Sequence, residues 1–151
     1  MNSLPERRRL LAFSDSRQRR CEQSVLRTQQ QLLPLHQALA GFVDQHDALQ
    51  SLLASHHAED CVLDHWQLLA LLRRQAVIRR QIQELHLERD RVDQQCKQIE
   101  QSLSEQREQL SALQLKHGKY ERSVQHLMRA QRHESVRREE REIEDMTGVR
   151  R

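Results

Sequence analysis

The stretch ASHHAEDCVLDHW, residues 54–66, gathers the side chains best suited to chemistry. His57, Cys61 and His65 recur every fourth position, the spacing that stacks side chains on one helical face. Zinc accepts two imidazoles and a thiolate, and Asp60 or Asp64 would add a carboxylate oxygen. That geometry needs an unbroken helix through the segment. The flanking apolar pattern denies it, because no path of alternating three- and four-residue steps joins Leu53 to Leu71 without a skip. No paired CxxC accompanies the set, and nine histidines are spread along the whole chain. The stretch reads as a place where the chain folds back, and no metal or other cofactor is expected.

A nucleophilic role fares no better. Cys61 or Cys96 could pair with a histidine, yet Cys96 falls on an apolar helical repeat and reads as a small buried residue. Only Gly41, Gly118 and Gly148 are present, with neither GxxxxGK nor GxGxxG, so no phosphate-cradling loop is encoded. Long helices also leave no concave pocket in which to orient reacting groups. The expectation is a protein that is not an enzyme.

The composition agrees. Among 151 residues aromatics are 3% and charged residues 31%, with 3 Gly and 2 Pro, too little apolar bulk for a thick core. Leu, Gln, Arg and Glu dominate, the mixture of long helices that bury a narrow seam. Three cysteines (Cys21, Cys61, Cys96) in no short-range pattern argue against a disulfide framework and fit a reducing compartment. No apolar run approaches the roughly 20 residues a membrane helix needs, and the opening MNSLPERRRLLAF lacks the apolar stretch of a signal peptide. These features predict a cytoplasmic protein.

The elements follow from the periodicity. Ser3 and Glu6 form a capping box with Pro5 in the first turn. From there to Ser55, Val25, Leu32, Leu35, Leu39, Phe42, Leu49 and Leu53 fall on one seam with Thr28 and His46, while the pattern between Leu11 and Val25 is weaker. Pro34 removes one backbone hydrogen bond and predicts a kink or local break. Three- and four-residue steps from Leu71 to Leu127 meet apolar residues except at Gln75, Arg89, Gln106 and His117, the signature of a left-handed coiled coil. Asp60 is the expected cap of this second helix, with Asp64 in its first turn. The reading is all-α: a single long antiparallel two-helix coiled-coil hairpin with helix 4–55, turn 56–61, a longer helix 62–145 and a frayed tail 146–151. At 1.5 Å per residue the arms are roughly 80 Å and 125 Å long. Folding back near residue 58 brings the start of the first helix opposite Gly118. Tyr120, Val124, Leu127 and Met128 would then overhang as an apolar stripe in need of an external partner.

Charge is unevenly placed although the net is only +3. Residues 1–20 hold six Arg against Glu6 and Asp15, whereas residues 28–72 hold no Lys or Arg and five acids. The pairs Arg73-Arg74, Arg79-Arg80 and Arg137-Arg138 could contact phosphates, but interleaved acids make them the solvated flank of a seam, and nucleic acid is not expected as a partner. In VLDHWQLLALL, Val62, Leu63, Trp66 and Leu69 either close the hairpin end against the first helix or form a partner-binding tip.

The basic-start hairpin, DCVLDHWQ opening the second helix and the tail HLMRAQRHESVRREEREIEDM resemble the FliJ/YscO (SctO) family, the central-stalk proteins of type III secretion systems. In the tail a Val-Arg-Arg step precedes a Glu-rich run, an ending similar to the YscO type, which favours a virulence system over a flagellar one. The resemblance implies an antiparallel coiled coil like the γ stalk of rotary ATPases. Its paired terminal ends enter the hexameric export ATPase, its turn end points to the membrane export gate, and its C-terminal helical region binds export chaperones. Carried onto this chain, Arg7, Arg8, Arg9, Arg17, Arg19, Arg20, Arg129, Arg132, Arg137, Arg138 and Arg141 would face the ATPase. Leu63, Trp66, Leu68 and Leu69 would face the gate. The expected protein is a monomeric cytoplasmic hairpin at the base of a secretion apparatus on the inner membrane. The rival expectation is a generic coiled-coil scaffold that oligomerises through its seam.

Overall fold

The computed structural model describes residues 3–57 and 61–148. Two helices, α1 (Leu4–Ser55) and α2 (His65–Gly148), run antiparallel as a helical hairpin whose second helix is the longer, 84 residues against 52. The Ser3 N–H donates to the Glu6 carboxylate at 3.2 Å, half of the capping box that starts α1. Pro34 does not break the helix. It sits on an exposed face, where water can satisfy the carbonyl four residues earlier that loses its amide partner.

The second helix starts three residues later than residue 62. Asp64, not Asp60, is its cap: the Asp64 carboxylate accepts from the His65 N–H at 2.6 Å, and the Gln67 side chain accepts from the Asp64 N–H at 3.1 Å. The Gln67 bond is the half of a capping box that reaches back from the third helical position, and together the two bonds satisfy the N–H groups of Asp64 and His65 that the start of the helix otherwise leaves open. Asp60 lies outside the described residues. The far end also runs on, for residues 146–148 are helical rather than frayed; residues 149–151 lie outside the description.

Contacts divide the chain into two compact units, Leu26–Ser104 and Met1–Val25 with Glu105–Arg151. In the first, Thr28 and Leu32 of α1 and Gln75, Ile78, Ile82, Cys96 and Leu103 of α2 are buried. Leu35, Leu39, Phe42, His46, Leu49 and Leu53 are half-buried between them. The antiparallel pairing is read from His46 against His86, ring centroids 5.1 Å apart, and His36 against Glu100 at 3.5 Å. Gln75, a polar member of the seam, donates to the His56 carbonyl at 2.9 Å and ties the connecting segment to α2. Of the predicted α2 seam positions in this unit only Arg89 is exposed.

In the other unit the same spacing continues, but with smaller and more polar residues. Ser14 is buried, Gln18 and Cys21 are half-buried, and the Cys21 thiol donates to the Gln106 carbonyl at 3.6 Å. His117 points its Nδ1 into the seam, where it finds no hydrogen-bond partner among the described residues. Such a group weakens packing by about 1–3 kcal/mol. Val124 is 7% exposed, and Tyr120, Leu127 and Met128 are half-buried. The Arg8 Nη2 lies 3.9 Å from the Met128 sulfur. These four α2 residues are therefore covered by the start of α1 and do not overhang. The reason is the stagger: Leu52, near the end of α1, meets Val77 and Ile78, so the opening turns of α2 lie beyond α1. Residues 129–148 of α2 are exposed throughout.

No side chain among the described residues is completely buried. A fully buried Leu or Ile contributes about 1.5–3 kcal/mol, and partial burial proportionally less. Stability is thus spread over many modest contacts in a seam.

Candidate partner-binding surfaces

The metal set does not assemble as a helical face. Only His65 of the three lies in a helix, and His57 and Cys61 line an open cleft with His56 that His65 does not reach. Among the described residues no group of three His, Cys, Asp or Glu side chains is placed to hold a metal. Cys61 is exposed. Cys96 is 3% exposed, and burial pushes its thiol above the ordinary value, with Glu100 and then Asp93 adding in the same direction. Such a thiol keeps its proton and packs as a small apolar group.

What the molecule offers instead is surface. The connecting segment and first turns of α2 carry Val62, wholly exposed, with Trp66 75%, Leu72 49% and Leu68 43% exposed. Leu63 is about one-third exposed and Leu69 is half-buried. Closure of the hairpin end by Val62 and Trp66 is therefore corrected: α1 ends at Ser55, short of these residues, and cannot cover them. Trp66 meets the His65 ring edge-on with centroids 6.1 Å apart and is otherwise open.

The arginine-bearing residues are less uniform than their sequence suggests. Arg7 occupies a half-buried seam position, while Arg8, Arg9, Arg17, Arg19 and Arg20 are exposed. Arg19 pairs with Asp15 at 3.0 Å, and the Arg17 guanidinium sits 5.9 Å from the Phe13 ring centre. Arg8 and Arg132 line one shallow groove with Leu4 and Met128, so the two helices bring these two together. Arg129, Arg137, Arg138 and Arg141 lie on the exposed stretch, and Arg138 pairs with Glu134 at 2.6 Å. From 129 to 145 five arginines stand against six acids, so this stretch is charge-mixed rather than basic. Exposed pairs of this kind contribute little to stability. The reading of the sequence missed Leu10 and Phe13, which are 44% and 63% exposed on α1, because periodicity marks only seam positions.

No helix of the described residues is long and apolar enough to cross a membrane. Comparison with protein families finds one whose description is Salmonella surface presentation of antigen gene type M protein, matched over residues 6–147. No curated protein and no solved structure matches the chain.

Proposed function

The chain belongs to the surface presentation of antigen M family, the YscO-like family of type III secretion, and from that premise we propose that it is the central stalk of a virulence-type export ATPase. Membership makes it a type III secretion protein, in a family of non-enzymatic apparatus components. The stalk reading adds a mechanism. The unit holding the start of α1 and the end of α2 enters the ATPase hexamer, promotes its assembly and raises its turnover. The Trp66 tip contacts the cytoplasmic side of the export gate, and the exposed end of α2 is open to export chaperones.

The observation that carries this reading is the family match across nearly the whole hairpin. Charge supports it: a start of net +4 in residues 1–20, six Arg less Glu6 and Asp15, can be steered towards an acidic partner, and an acidic middle towards a different one. In this role the arginines are electrostatic contacts and take no part in phosphoryl transfer.

The test is turnover and oligomeric state of the cognate ATPase with and without this protein. The expected result is faster hydrolysis and more hexamer; no binding and no change in either removes the proposal. Arg9, Arg132 and Arg137 are exposed and carry no ion pair among the described residues. Reversing all three to Glu is expected to weaken binding by about tenfold while helicity is retained. Unchanged affinity counts against insertion by this unit.

A further inference from the structure

Four residues of α1 recur at steps of three, four and three: Leu10, Phe13, Arg17 and Arg20. That spacing places them along one strip of the helix. All four are exposed, and none is a seam position. Leu10 is 44% and Phe13 63% exposed, which leaves a large apolar ring in water at the most basic part of the chain. The Arg17 guanidinium over the Phe13 ring, 5.9 Å from its centre, holds ring and charge side by side. Arg20 has no ion pair among the described residues, so its charge is available to a partner.

Aromatic and arginine side chains on a firm helical scaffold are the residue types that dominate binding energy at interfaces. A solvated cationic face needs no ring. A ring with two arginines beside it fits a groove with an apolar floor and carboxylates on its rim. We propose that Leu10, Phe13, Arg17 and Arg20 form a docking strip that seats Phe13 in an acidic-rimmed apolar groove of the export ATPase. This inference rests on the stalk reading and narrows it. The anchor is an apolar side chain flanked by charge, and the remaining arginines steer the approach.

The experiment measures affinity for the cognate ATPase hexamer by fluorescence anisotropy of the labelled full chain, at low and at high salt. The variants are Phe13→Ala, Leu10→Ala with Phe13→Ala, and Leu115→Ala as an exposed apolar control on α2, 68% exposed. Circular dichroism checks that each stays helical. Wild type is expected to keep a salt-resistant part of its affinity, because apolar burial is not screened. Phe13→Ala is expected to lose about tenfold in affinity, all of the salt-resistant part, with the Leu115→Ala protein like wild type. Binding of both Phe13 variants within twofold of wild type overturns the docking strip and leaves the stalk reading standing. An equal loss in the Leu115→Ala protein overturns it too, because the effect is then not specific to the strip. A wild-type chain that does not bind the ATPase removes both.

Discussion

At the scale of single residues, the three cysteines separate by environment rather than by chemistry in the sequence. Cys61 stands in the open connecting segment, Cys21 is half-buried against the Gln106 carbonyl, and Cys96 is enclosed at the seam. Burial, then Glu100 and Asp93, holds the Cys96 thiol above its ordinary value of 9.0. The folded chain therefore keeps this proton at a pH where the unfolded chain has released it. The resulting stability is complete below the unfolded value and is lost as pH rises through the folded one. Melting followed from about pH 8 to about pH 10 is expected to show a steeper alkaline loss in wild type than in Cys96→Val. Thiol labelling gives a second reading. In the native protein Cys61 reacts first, and Cys96 reacts only once denaturant opens the hairpin. Fast labelling of Cys96 in the native chain contradicts its burial.

At the scale of elements, the cap at Asp64, with the Gln67 side chain reaching back to its N–H, decides where α2 begins. The opening turns of α2 are not covered by α1, so losing the cap is a local event. Asp64→Ala is expected to cost about 1 kcal/mol at this helix end. Amide exchange at His65–Leu68 should quicken while the global melting temperature stays within about 1 °C; a drop of several degrees would show that these turns are coupled to the whole seam. The same element explains what the sequence could and could not tell. The α2 seam was legible because apolar side chains repeat at three and four over many turns, and all its predicted positions but Arg89 are sheltered. The turn was legible as a break, yet its far edge was not, since Asp60 and Asp64 both precede apolar runs and only the latter has Gln three residues on. That choice displaced the stagger, and with it the fate of Tyr120, Val124, Leu127 and Met128. The α1 seam before Val25 was faint because Ser14, Gln18 and Cys21 are small or polar. Phe13 carried no periodic signal at all.

At the scale of the molecule, α2 has a part that α1 covers and a part, residues 129–148, that it leaves exposed. Sequence spacing alone led to an apolar overhang, whereas the stretch beyond Ser135 is charged, with Val136, Ile143 and Met146 the large apolar side chains exposed in it. No basic residue sits in its last turn to offset the helix dipole, and Glu140 and Glu144 are like charges four residues apart. A helical stretch that buries nothing adds almost nothing to the stability of the hairpin. Chains ending after Ser135 should therefore melt close to the full-length protein. A loss of even 1 kcal/mol would lower the midpoint by several degrees in a protein of this size, so the comparison is sensitive. Helical signal should fall in proportion to the residues removed, and ATPase stimulation or chaperone binding should fall with it if this stretch is kept for partners. A shortened chain that melts several degrees lower would mean that the stretch packs on the hairpin. One that melts alike and still stimulates the ATPase and binds chaperones in full would leave it without the partner role.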